Sequence, residues 1–243
     1  MNITKHSIVG SIVAEDYRAA GVFEQSGIDF CCNGNQTIEA ACSGQNIAAD
    51  KLISSLNTTL TAPARKDDAR NSYTSWPLDL LADHIEKKHH RYVTEQLPVI
   101  HAFLEKIVRV HGQRHPELTE IQDLFHAVGE ELTAHMTKEE RMLFPYIRKM
   151  VQARLTGSRN VAAPFGSIQN PIRMMMQEHD TEGKRFQRIK ELSNQYVAPD
   201  DGCSTYRTAY AMLQEFEEDL HLHIHLENNI LFPRAIEFEQ SFS

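Results

Sequence analysis

The stretches "HMTKEERMLFP" (residues 135–145) and "HIHLENNILFP" (residues 223–233) carry His, Glu, Leu, Phe and Pro at the same five offsets, 88 residues apart. In each, a histidine and a glutamate stand four positions apart. On a helix that spacing puts two side chains on one face, one turn from each other. The residues around them decide which face. Ile121, Phe125, Val128, Leu132, His135, Glu139, Met142 and Tyr146 advance in steps of three and four, as do Ala209, Leu213, Phe216, Leu220, His223, Glu227 and Ile230. This is the rhythm of a buried helical stripe, so both His-x3-Glu pairs are expected to point inward.

Two further stripes complete the pattern. One helix from about Leu78 presents His90, Val93, Leu97, Ile100, Leu104, Ile107 and His111; another presents Ile172, Met175, Met176, His179, Phe186 and Ile189. Four helices with inward stripes predict an all-α protein, an antiparallel four-helix bundle. Burying two carboxylates without compensation costs several kcal/mol each, and a cation in the core offsets that cost. His90 precedes His135 by 45 residues and His179 precedes His223 by 44, so each half of the bundle supplies a single His and then a His-x3-Glu. His90, His135, Glu139, His179, His223 and Glu227 are therefore the candidate metal ligands, with the two glutamates able to bridge a dinuclear site. Imidazole and carboxylate without thiolate suit iron and, less uniquely, manganese or zinc. Ferritin-like di-iron bundles use Glu-x-x-His, a different order and spacing. The plainer reading is a duplicated helix pair whose histidines are satisfied core residues; two inward copies, each with an upstream His, weigh against it.

Bulk properties narrow the function. The 243 residues carry 25 basic and 33 acidic side chains, a formal charge of −8, which argues against a nucleic-acid surface. No apolar run approaches the ~18 residues of a membrane span, so no membrane is expected as partner. "MNITKHSIVG" has no signal-peptide pattern, and four cysteines, two of them adjacent, suit a reducing cytoplasm better than a disulfide scaffold. Residues 1–60 read as a small helical domain bearing cysteines, with a helix over Ala14–Gln25 ended by Gly27 and another from near Thr37 to Cys42. Residues 61–76 read as a polar linker, 77–243 as the bundle, and 155–171 as a loop within it. Pro145 and Pro233 are read as kinks or ends of the two metal-bearing helices. His89 lies about 100° round the helix from His90. His221 and His225 fall opposite His223 and are expected to be solvated. His111 lies some 31 Å along the helix from His90, too far to join the site. Cys42 and Cys203 are read as structural.

With these residues in hand, the sequence resembles a known family. Two His-x3-Glu helices with upstream histidines look like a hemerythrin-like di-iron domain. Together with "DFCCNG" (29–34) and the linker, they make nearly the whole chain similar to the YtfE/ScdA/DnrN proteins, the repair-of-iron-centres family. The resemblance implies two non-haem irons per chain on the same six ligands. It implies repair of iron–sulfur clusters damaged by nitric oxide or oxidants, with damaged iron–sulfur proteins as clients. Cys31 and Cys32 match the family's cysteine pair, for thiol chemistry or docking; the Asn33-Gly34 turn signal suggests that they are exposed. Glu131 and Glu178 match acids near the family's centre. Two other functions stay open: direct reduction of nitric oxide or a peroxide, and binding or sensing of oxygen or nitric oxide. Whether the chain is an enzyme, and its oligomeric state, are not decided by sequence.

Overall fold

The computed structural model describes residues 1–63, 73–158, 161 and 163–242; part of the expected linker (64–72) and part of the expected loop (159, 160 and 162) lie outside the described residues. The elements are α1 (Val9–Glu15), α2 (Arg18–Gln25), α3 (Ile38–Gln45), α4 (Ala49–Thr61), a 3-10 turn (Tyr73–Ser75), α5 (Leu78–His84), π1 (Ile85–His90), α6 (Arg91–His111), α7 (Glu117–Lys138), π2 (Glu139–Leu143), α8 (Phe144–Thr156), α9 (Gln169–Leu192), α10 (Ser204–Leu226), π3 (Glu227–Leu231) and α11 (Phe232–Gln240). No helix among the described residues is long and apolar enough to cross a membrane. The chain forms two compact units, residues 82–223 and residues 1–81 with 224–243.

Residues 82–223 form the helical bundle. Every member of the α6 stripe from Val93 to Ile107 is buried, because its i, i+3, i+4 spacing keeps one face turned inward. The phenyl ring of Phe216 on α10 stacks on Phe186 of α9 at 5.8 Å and meets Phe125 of α7 edge-on at 5.4 Å; Tyr92 of α6 lies 6.0 Å away. Four helices thus meet at one aromatic cluster, where burying each ring contributes roughly 1.5–3 kcal/mol. In the same unit, Lys190 of α9 donates to the buried Glu217 of α10 at 2.9 Å.

The other unit encloses the cysteine pair. The expected helix over 14–25 is two helices, α1 and α2. Asp16 between them is extended, and its carboxylate accepts from Arg18 N, Nε and Nη2, which favours a break over a continuous helix. Arg18 also donates to the carbonyls of Leu60 (3.1 Å) and Ala62 (2.9 Å), satisfying the C-terminal end of α4. Gly27 ends α2 with φ +65°, and the Thr37 hydroxyl caps α3 by accepting from Ala40 N. Against these helices lies the chain after residue 223. Asn228 Nδ2 donates to the Cys31 carbonyl at 3.1 Å, and Asn229 Nδ2 donates to the Phe30 carbonyl at 3.0 Å. The Asn pair of "HIHLENNILFP" thus fastens the Cys-Cys turn to the helix that bears it.

Candidate metal centre

The three π segments coincide with the candidate ligands. His90 closes π1, Glu139 opens π2 and Glu227 opens π3. A π turn inserts an extra residue into the helical ladder and is frequent at functional sites. It also rotates everything after it, which corrects the expected stripe. Met142, placed inward by α-helical spacing, is 45% exposed, while Leu143 is 1% exposed and takes its place in the core. Pro145 and Pro233 lie in the first turns of α8 and α11, directly after π2 and π3, so the helices run on past them. A proline tolerated in a first turn, where its missing N–H costs little, replaces the expected kink or end.

His90, Glu139, His223 and Glu227 form one group whose ligand atoms all lie within 4.8 Å of one another; His135, Glu139, His179 and Glu227 form a second. Both glutamates belong to both groups, and all six residues are buried. Glu139 Oε2 lies 3.4 Å from His90 Nε2 and 3.4 Å from His135 Nε2. Glu227 follows His223 by one turn on its own helix. His135 Nε2 and His179 Nε2 face each other at 3.0 Å, so at least one presents a bare lone pair.

Carboxylates behind the rings set the tautomer. His90 Nδ1–H donates to Glu140 Oε1 at 2.8 Å and His135 Nδ1–H donates to Glu178 Oε2 at 2.7 Å. With the proton on Nδ1, each ring turns its Nε2 toward Glu139, the carboxylate–imidazole arrangement found behind bound metals. The His135 bond, reinforced by Lys138 and opposed by partial burial, lowers the Glu178 pKa to about 2, so it remains a carboxylate. Four imidazole nitrogens and two buried carboxylates without thiolate suit a hard-to-borderline cation, and the donor set fits iron.

Other sequence expectations fare differently. Glu131 is exposed and ion-paired with Arg185, which also holds the buried Glu182. His225, expected in solvent, is 2% exposed: it packs against Tyr17 and Phe30, and its Nδ1 accepts from Asn229 Nδ2 at 3.0 Å. Burial lowers its pKa to about 3. A single-helix wheel cannot show that residues 1–81 cover that side. His89, adjacent to His90, is fully buried and shares its Nδ1 with both oxygens of Asp219 at 3.0 Å. Of the expected exposed pair, Cys31 is buried and only Cys32 is half-exposed. Asp29 Oδ1 accepts from both backbone amides and from the Cys31 thiol (3.3 Å), and the sulfurs stand 3.8 Å apart as free thiols. Hydrogen bonding with Cys32, then burial, raises the Cys31 pKa well above the ordinary value. Asp29, Cys31 and Cys32 together offer three ligand atoms within 4.8 Å. Sequence reasoning missed Glu140, whose only signal was its place beside Glu139, and missed Asp29 and the two asparagines.

The Hemerythrin HHE cation binding domain matches residues 81–235, and the ScdA N-terminal Domain of Unknown function (DUF542) matches residues 5–60. The chain is 34% identical over 235 residues to the "Iron-sulfur cluster repair protein YtfE" of Yersinia pestis (strain Pestoides F), an overlap of 97% of this chain and 99% of that one. It is similar to the same extent to the protein of that name in Yersinia pseudotuberculosis serotype O:3 (strain YPIII).

Proposed function

The chain belongs to the hemerythrin-domain family of YtfE-type iron–sulfur cluster repair proteins, and from that premise we propose that it holds two irons and uses them to restore damaged clusters. The observation that carries the reading is the pair of His/Glu groups sharing Glu139 and Glu227. His90 and His223 would serve one iron and His135 and His179 the other, with the two glutamates common to both. Bound iron would supply redox chemistry and a store of the element that a damaged cluster lacks. The chain's own part is to orient the rings through Glu140 and Glu178, to neutralise the metal charge with Glu139 and Glu227, and to exclude bulk water with buried packing such as Phe144, whose ring stacks on His90 at 5.6 Å.

Cys31 and Cys32 supply the second half of the reading. Thiolate competes for iron where imidazole and carboxylate hold it loosely, so the Asp29–Cys31–Cys32 cluster is suited to dock a client or take part in hand-over. The working compartment is the cytoplasm, and the clients are iron–sulfur proteins damaged by nitric oxide or oxidants. The test is restoration of a nitric-oxide-damaged iron–sulfur enzyme. Wild-type protein should restore activity, and the Cys31→Ala/Cys32→Ala double variant should keep its iron and fail. Turnover of nitric oxide with a reductant, without restoration of the client, would replace iron supply by direct reduction.

A further inference from the structure

At the end of α6 remote from His90, a second thiol environment is built from residues that the iron centre does not use. His111 Nε2 lies 3.3 Å from Cys203 Sγ, and Cys203 is exposed while His111 is buried. Cys203 immediately precedes α10, and the amides of Tyr206 and Thr205 at the start of that helix point their hydrogens at the sulfur. The imidazole is held in place by packing: Tyr206 meets its ring edge-on at 5.4 Å, and His115 lies behind at 6.4 Å. His115 is itself anchored by Asp201 at 3.0 Å and Glu117 at 3.1 Å. An open cleft of about 420 Å³ shares Tyr206 and Glu117 with this environment, although neither Cys203 nor His111 lines it.

We propose that Cys203 is a reactive thiolate, paired with His111, that forms a mixed disulfide with small-molecule disulfides. The ionised sulfur attacks one sulfur of the disulfide; the new S–S bond forms as the old one breaks, and the other half leaves as a thiolate. No further oxidant enters, and the thiol proton lost beforehand goes to solvent. The His111 hydrogen bond first, then the helix amides, lower the Cys203 pKa to about 7, where half the sulfur is the nucleophile at neutral pH. The other environments differ: Cys31 and Cys42 are buried, and both are raised.

The probe is oxidised glutathione, added to the full-length iron-loaded protein, with adducts located by peptide mass mapping across a pH series. Cys203 should be labelled first, with a rate midpoint near pH 7. In His111→Gln the midpoint should rise toward the ordinary ~8.5. At pH 7 the thiolate fraction would fall about 16-fold while intrinsic nucleophilicity rises about fivefold, a net slowing of about threefold. Cys203→Ser should abolish the fast adduct and keep iron and repair, since ~31 Å of helix separates His111 from His90. A wild-type midpoint at ~8.5, first labelling at Cys32, or an unmoved midpoint in a folded His111→Gln would each overturn the proposal. The wild-type midpoint decides the matter even if that variant does not fold.

Discussion

Replacing Gly10 by alanine should be costly, chiefly because Asn229 is there. A Cβ built on Gly10 would sit 2.2 Å from Asn229 Oδ1 and 2.6 Å from its Cγ, inside any tolerable contact, with Gly34 O next at 3.1 Å. The amide would have to swing out, giving up its hydrogen bonds to the Phe30 carbonyl and to His225 Nδ1, both 3.0 Å. The bond to the Phe30 carbonyl is worth about 1 kcal/mol, and the buried His225 nitrogen would lose its donor, a penalty of about 1–3 kcal/mol. Asn229→Ala should therefore cost about 2–4 kcal/mol, and Gly10→Ala a similar amount plus about 1–3 kcal/mol of overpacking, less up to ~1 kcal/mol of helix propensity. In the double variant the obstructing atoms are gone, so the added alanine should cost within about 1 kcal/mol. The coupling, about 2 kcal/mol or more, is read from denaturant unfolding of the four proteins. Equal costs of Gly10→Ala in both backgrounds would refute the argument that this amide clamps the Cys-Cys turn.

Burial raises the pKa of Glu182 to about 8, with Arg185 lowering it and Glu131 raising it. Its folded pKa lies above the unfolded value, so the charge costs nothing below about pH 4.5 and increasingly more as pH rises toward 8. At pH 7 that amounts to about 3 kcal/mol. Glu182→Gln should stabilise the metal-free protein by about that amount at pH 7 and by nothing near pH 4.5; a pH-independent effect in thermal unfolding would contradict this. Glu178→Ala should weaken iron binding about 10–100-fold by freeing the His135 ring, whereas Glu131→Ala, which loses only its pairing with Arg185, should leave affinity unchanged in competitive chelator titrations. Glu139→Ala should lose or mix metal occupancy and His221→Ala should keep it, measured as iron per chain; equal loss in both would undo the inward-stripe reasoning.

The bundle was legible because its stripes are regular: from Val93 to Ile107, and from Ala209 to Phe216, the residues spaced for burial are buried. The six-residue constellation was legible for the same reason, since His and Glu interrupt apolar stripes at matched positions. Legibility failed where the helix changed pitch. Met142 and Leu143 exchanged roles because α-helical counting continues through π2, and nothing in "EERML" announces a π turn. It failed again where distant stretches of chain pack together, as at His225, which Tyr17 and Phe30 cover. The helix α4 went unread although Leu52, Leu56 and Leu60 recur at helical spacing, because Ala48 before it supplies no side-chain cap to mark a start. Contacts such as His90–Glu140 and His111–Cys203 join residues 50 and 92 positions apart, and no local spacing encodes them.

The central claim is that Glu139 and Glu227 are shared by two metal ions, each with its own pair of histidines. Iron analysis combined with a Mössbauer spectrum of protein loaded with isotopically enriched iron tests it directly. Two irons per chain in an exchange-coupled, carboxylate-bridged pair are expected. A single iron per chain, or two irons that are magnetically independent, would contradict it.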